Sequence, residues 1–264
     1  MRVLAPVVGP LVTADLRMLL GGLFLGAVFL LLRFNPGIRK NFRVFLWVGL
    51  VNSGLPFLLY SMGALVLPAS VEVVVNALSP AFGAVAGAWF LGERFTRPKA
   101  FGLILGLGGV LVVAGGLTLG NNPWAWAALA ACTLAPVSYA VGGVMVKRLA
   151  GGIPAKSLAF GSQLMAGLAL LPALVFFPPR AFPSWEVLGL LVAFGVLCSG
   201  VAYLLYYGLM TRIGPTKTLT VTFLMPVFGM LWGALFLGES ITLPLAAGAA
   251  LVLAGTALVS LRSA

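Results

Sequence analysis

Histidine is absent from this chain, and acidic side chains number only five in 264 residues. The first absence removes the commonest metal ligand and general base. The second leaves no cluster that could hold a nucleophile, a base or a metal ion. An integral-membrane enzyme, such as a lipid-modifying transferase, is therefore not expected, and neither is a metal or cofactor site. Charge of either sign is scarce: 8% of residues are charged and 61% are apolar. A soluble fold covers itself with roughly a quarter charged residues, so the outer surface of this chain must face lipid. Only two cysteines occur, Cys132 and Cys198, both inside apolar runs. Packed thiols are expected there and not a disulfide. Met1 to Thr13 lacks the continuous apolar core and small-residue cleavage site of a signal peptide.

The formal net charge is +11, but no basic patch is interleaved with aromatics and no nucleic-acid partner is expected. Lys and Arg sit singly at the ends of long apolar runs, which is how orientation signals look. Nine such runs are present, at 14–33, 44–66, 70–91, 98–117, 123–146, 157–178, 185–211, 216–237 and 242–261. Each approaches or exceeds the roughly 20 apolar residues that cross a bilayer as a helix. They are too long and too continuously apolar for β-barrel strands. Asn35-Pro36, Asn122-Pro123 and Pro178-Pro179 mark some of the turns between them.

The basic residues alternate by loop. Arg33, Arg39, Lys40 and Arg43 follow the first run, Arg94, Arg97 and Lys99 the third, and Lys147, Arg148 and Lys156 the fifth. Arg212 and Lys217 flank the loop after the seventh, and Arg262 closes the chain, so one side collects 13 of the 16 basic residues; Arg180 alone follows the sixth. The positive-inside rule makes that side cytoplasmic, with the C-terminus inside and Met1 outside.

An internal repeat runs through this pattern. At a fixed offset of 146, residues 78–112 match 224–258 at 17 of 35 positions. The matches include Pro80/Pro226, Gly83/Gly229, Gly87/Gly233, Phe90-Leu-Gly-Glu93/Phe236-Leu-Gly-Glu239, Thr96/Thr242 and Gly102/Gly248. Upstream the same offset pairs Gly49/Gly195, Ser53/Ser199, Gly54/Gly200 and Tyr60/Tyr206. The first Gly-Glu turn is followed by basic residues and the second is not. The copies are therefore expected to be inverted in the membrane, the architecture of many secondary transporters, with substrate held near the midplane at the repeat interface.

The paired Pro-x-Phe-Gly…Phe-Leu-Gly-Glu-x-x-Thr segments, each followed by a Gly-rich helix, resemble the EamA-type family of the drug/metabolite transporter superfamily. The resemblance covers essentially the whole chain. It implies an all-α integral membrane fold of two inverted five-helix repeats, both termini cytoplasmic, and export of amino acids, other metabolites or drugs. This chain has nine spans, four in residues 1–117 and five in 118–264. The span at 123–146 has no partner before it. The native reading frame is expected to encode about 25 further residues upstream, one helix of bilayer-spanning length. A nine-helix carrier is the alternative.

The candidate substrate residues lie on helical faces. Glu72, Asn76, Ser79 and Gly83 share one face of the third span, and Thr218, Thr222, Met225 and Gly229 are their repeat partners. Ionisable groups within spans normally face a cavity or a partner, so these stripes are candidates for the substrate path. In the alternative, Glu72 snorkels to the interface and the threonines bond their own backbone. Ser199, Tyr203 and Tyr206 share a face of the seventh span, matched by Ser53, Phe57 and Tyr60 on the second. Ser138 and Tyr139 are weaker candidates. Pro80 and Pro226 would kink or gate their helices. The Gly83/Gly87, Gly229/Gly233 and Gly102/Gly106 pairs would let helices approach closely. Glu93 and Glu239 read as helix-terminus caps and loop anchors, and Asp15 and Arg17 as residues near an outer helix end that pair with neighbouring helices or anchor at the interface.

The function this supports is a multi-pass carrier, most simply an inner-membrane exporter of amino acids or similar small compounds by alternating access. A passive facilitator or a truncated, inactive product is the alternative. Proton coupling is a further expectation, with Glu72 as the carboxyl that would carry it.

Overall fold

Apolar side chains on every face of a segment, as here, call for helices, because only helices satisfy each backbone group within the segment once water is gone. The computed structural model describes residues 1–116, 123–179 and 183–261, and among these there is no strand. Asn122, Arg180 and Arg262 lie outside the described residues. Eight helices are long and apolar enough to cross a membrane: α1 (Pro10–Leu31), α2 (Ile38–Gly63), α3 (Ala69–Leu91), α4 (Arg97–Gly116), α5 (Trp124–Leu149), α6 (Ala155–Val175), α7 (Trp185–Ile213) and α9 (Leu243–Ser260). The remaining expected span is a shorter apolar helix, α8 (Val221–Leu237). A short helix, Leu4–Val8, precedes α1.

The chain divides into two compact units. The first comprises Met1–Leu65 and Met145–Pro215, and the second Val66–Val144 and Thr216–Ala264. Each unit thus draws segments from both sequence repeats.

In the first unit α1 lies along α6, its own repeat partner. Rising positions on α1 meet falling positions on α6. A methyl group at Gly22 would stand 2.8 Å from the Leu164 amide nitrogen, one at Gly26 3.0 Å from the Phe160 ring, and one at Gly167 2.6 Å from Leu19. The two helices are therefore antiparallel. A methyl at Gly195 on α7 would stand 2.6 Å from Leu20 of α1, and one at Gly49 on α2 3.2 Å from Ala166 of α6. Those two contacts are also repeat images of one another.

The second unit repeats the scheme with α4 and α9. Gly102 meets the Gly255 carbonyl and Gly255 meets the Gly102 carbonyl. A methyl at Gly109 would stand 2.6 Å from the Gly248 carbonyl oxygen, and one at Gly248 2.5 Å from that of Gly109. Only antiparallel helices related by a local twofold make such reciprocal contacts. Both seams thus carry the inversion anticipated from the charges. Val73 and Gly229 bring α3 against α8 in the same antiparallel sense. Ala140 and Val144 of α5 pack on Ala86, Phe82 and Leu91 of α3.

The repeat extends to the irregularities. Leu50–Gly54 in α2 and Val196–Val201 in α7 are π-helical turns at the same register. Gly92 and Gly238 close α3 and α8 with φ of 70° and 65°, a left-handed conformation that glycine adopts without strain. Glu93 and Glu239 then return their amides to Gly87 and Gly233 at 3.1 and 3.0 Å.

The α4–α9 seam gives a test. Gly109 is closed in by Gly248, whereas a methyl at its neighbour Gly108 would have no heavy atom within 4 Å. Gly109→Ala should lower stability by about 1–3 kcal/mol through overpacking. Gly108→Ala should be neutral or stabilise by up to roughly 1 kcal/mol through helix propensity. Thermal unfolding of the two purified variants checks the difference in sign.

Candidate functional site

In the second unit the polar positions of α3 and of the segment entering α8 gather along one seam. Glu72 and Asn76 are buried one turn apart in Ala69–Asn76, where β-branched valines fill the remaining faces. The helix then breaks. Ser79 donates its hydroxyl to the Asn76 carbonyl at 2.6 Å, and Pro80 begins a fresh helix, Ser79–Leu91. Pro80 therefore restarts α3 after an interruption, which is more than the simple kink expected of it. The repeat copy is interrupted slightly earlier in its register: Leu219–Phe223 is a tight 3₁₀ stretch, and Pro226 follows near the start of Leu224–Leu237. Thr218 and Thr222 are buried there, one turn apart.

Register fixes how these stripes meet. Val73 opposes Gly229, and the Asn76 amide donates to the Met225 sulfur at 3.1 Å. Antiparallel packing at that register lays the polar positions in the order Glu72, Asn76, Thr222, Thr218 along the seam. Cys132 of α5 lies within electrostatic reach of Glu72 and is buried, while Cys198 is exposed; both are free thiols. Ser138 is buried and Tyr139 half-buried on the same α5. Glu239 carries the capping role expected of it: its carboxylate accepts the amides of Ala69 and Ser70 at 2.7 and 3.0 Å. This neutralises the exposed donors and positive dipole end of α3.

The first unit holds a second polar seam, centred on the two π-turns. Position 17 is Arg and its repeat partner, position 163, is Gln. Arg17 Nε donates to Ser199 Oγ at 2.8 Å, and Gln163 Nε2 donates to Ser53 Oγ at 2.8 Å. Each repeat's long polar side chain thus reaches the other repeat's serine. The carbonyls just before those serines are also taken in register. Arg17 Nη2 donates to the Cys198 carbonyl at 3.2 Å, and the Tyr203 hydroxyl donates to the Asn52 carbonyl at 3.0 Å. Both carbonyls lack the helical donor four residues on, for different reasons. Position 56 is proline and has no N–H. The amide of Ala202 bonds Leu197, five residues back, as a π-turn requires.

Aromatic rings wall this seam. The Arg17 guanidinium lies 3.6 Å from the Phe57 ring centroid and 4.4 Å from that of Phe194. Tyr203, Tyr206 and Tyr207 stack mutually at 5.4 to 5.7 Å, and the Asn52 amide donates to the Tyr207 hydroxyl at 3.2 Å. Tyr60 is buried nearby in α2. Of the residues singled out in the sequence, Ser53, Ser199 and Tyr203 are thus engaged with other protein groups in one network. Arg17, Gln163, Asn52 and Tyr207 belong to it too and were not chosen as candidates. The signal was present: Gln163 is a lone amide inside an apolar run, aligned with an embedded arginine.

An all-helical membrane fold with an inverted internal duplication, carrying polar seams inside otherwise apolar helices, defines the class of multi-pass membrane transporters. The family model described as "EamA-like transporter family" matches residues 1–115 and again 125–261, and the chain belongs to that family. "Uncharacterized transporter YvbV" of Bacillus subtilis is 27% identical over 256 residues, covering 96% of this chain and 83% of its own. The "Probable terminal-alkyne amino-acid exporter" of Streptantibioticus cattleyicolor is 30% identical over 213 residues, covering 78% and 68%. A solved crystal structure 21% identical in sequence superposes with a TM-score of 0.73, covering 96% of this chain and 88% of its own. At that identity the likeness concerns the fold alone.

The π-turn network is testable by substitution. Tyr203→Phe removes the hydroxyl donor from the Asn52 carbonyl and should cost about 1–3 kcal/mol. In a Pro56→Ala background, which restores a backbone N–H, the same change should cost clearly less. Thermal unfolding of the four proteins in this cycle measures the coupling; equal costs in the two backgrounds would remove the role given to Tyr203.

Proposed function

We propose that this protein carries small organic metabolites across the cell membrane, a bacterial inner membrane, by alternating access, and that amino acids or similar compounds leave the cell through it. The observation that carries this reading is the reciprocal antiparallel packing of repeat-related helices within each unit. Two inverted copies of one scaffold can exchange conformations, which is how many carriers expose one site to each side in turn. The name given to the Streptantibioticus relative supports the amino-acid class. Residues 1–117 and 118–264 are read as the two repeats.

Glu72, Asn76, Thr218 and Thr222 are read as the main substrate contacts, with Tyr139 of α5 as a further one and Pro80 and Pro226 as the points where α3 and α8 flex. A carboxylate, an amide and two hydroxyls along one seam offer acceptors for an ammonium group and donors for a carboxylate. Ser53, Tyr60, Ser199, Tyr203 and Tyr206 are read as the aromatic and hydroxyl-bearing part of the binding machinery. Transport is read as driven by the proton gradient. The C-terminus is read as cytoplasmic from the distribution of basic residues; a C-terminal reporter active only in that compartment should be active, and one active only outside should be silent.

Purified protein in liposomes should show counterflow of labelled amino acids, and Asn76→Ala should weaken apparent affinity by about tenfold, the equivalent of one good hydrogen bond. Absence of counterflow for every amino acid and simple metabolite tried, with folded protein, would end the carrier reading. Counterflow without accumulation under a pH difference would make the protein a facilitator.

A further inference from the structure

The sequence holds a single aspartate, Asp15. It is the sixth residue of α1, about 8 Å along the helix from its start at the usual rise per residue. The residue is 0% exposed, and neither carboxylate oxygen has a hydrogen-bond partner among the described residues. Arg17, two residues on, does not serve it. Its guanidinium is directed to Ser199 and Cys198 and lies against Phe57 and Phe194.

The elements packed on α1 are the short helix Leu4–Val8, α2 with its π-turn, α6 and α7 with its π-turn. Their charged and titratable groups can be taken in turn. Arg2, preceding the short helix, donates to the Ala64 carbonyl. On α2, Arg39, Lys40 and Arg43 occupy the first turns, and Tyr60 lies near the other end. Lys156 begins α6 and sits 3.6 Å from the centroid of the Phe34 ring. On α7, Glu186 is in the first turn, Arg212 in the last, and Cys198, Tyr203, Tyr206 and Tyr207 between them. None of these makes a hydrogen bond to Asp15.

A carboxylate taken from water with neither an ion pair nor a hydrogen bond is among the costliest arrangements a protein can hold, and the neutral acid is far cheaper. Intramembrane carboxyls in such settings mark proton pathways. We propose that Asp15 is a proton-binding site of this transporter and holds its proton in the state seen here. The inference rests on the proton-driven reading above and assigns that coupling to α1. Glu72, to which the sequence lends the role, retains interactions with its surroundings and is left as a substrate contact. The repeat partner of Asp15 is Gly161, so this site occurs once per chain. Loss of the proton requires water to reach Asp15, and proton release is thereby tied to opening of the packing around α1. A group that binds its proton in one conformation and loses it in another shifts the balance between the two.

Because Asp15 is the only aspartate, labelling every aspartate side-chain carboxyl with carbon-13 reports this residue alone, with no substitution. In solid-state NMR of the full chain in liposomes at neutral pH, the label should give the signal of a protonated carboxyl. An ionised carboxylate signal would overturn the proposal whatever the transport assays give. In proteoliposomes under a pH difference, Asp15→Asn should reduce accumulation at least about tenfold, while counterflow without a gradient stays within about twofold. Undiminished gradient-driven accumulation by Asp15→Asn, or none by the wild type, would overturn the coupling role. Loss of counterflow in the wild type would instead fall on the carrier reading and leave the NMR result standing.

Discussion

The structure depends first on the requirement that backbone amides and carbonyls find partners without water. In unbroken helix that requirement is met locally. At three places where this chain departs from regular helix, side chains complete the ladder. At the π-turns, Tyr203 and Arg17 supply donors to the Asn52 and Cys198 carbonyls. At the break in α3, Ser79 turns back to the Asn76 carbonyl. At the helix's start, Glu239 receives the first two amides. Asn52, Ser53, Ser79 and Ser199 are thus buried polar residues that sit at an irregularity, where the backbone is short of partners.

Close approach between helices is the second requirement, and glycine meets it. Lipid tails are as apolar as leucine, so packing and carbonyl contacts hold transmembrane helices together more than any expulsion from water. The α4–α9 seam is the clearest case: Gly102, Gly109, Gly248 and Gly255 let two backbones touch. Gly106, whose backbone also meets Gly255 in this seam, has a second use. It accommodates Leu78 at the break in α3, so the same small-residue spacing serves both a helix–helix seam and a break.

Much of this was legible beforehand. Hydropathy located the spans to within a few residues, although α1 begins at Pro10 and not near Ala14. The offset of 146 located both Gly-Glu turns, because Gly92 and Gly238 keep the same left-handed geometry there. The polar seam of the first unit was harder to read, for a physical reason. Its contacts join different residue types, Arg17 with Ser199 and Gln163 with Ser53. Alignment of a sequence with itself rewards identity, whereas a hydrogen bond needs a donor opposite an acceptor. Pro56 and Ala202 share nothing in sequence and still leave the same carbonyl open. The burial of Asp15 could not be read either, since periodicity alone does not say which face of α1 is packed against other helices.

The seams have a consequence for ancestry. When residue i of one copy meets j of the other, and the equivalent of j meets the equivalent of i, the surface is self-complementary in the manner of a twofold homodimer. Gly102 with Gly255 and Gly109 with Gly248 satisfy that condition. A polypeptide comprising one repeat, inserted into the bilayer in both orientations, would present these same surfaces to its own inverted twin. Fusion of two such genes would then need no new interface, only a linker, and each copy would afterwards be free to drift. Arg17 aligned with Gln163, and Asp15 aligned with Gly161, are two positions at which the copies differ in charge.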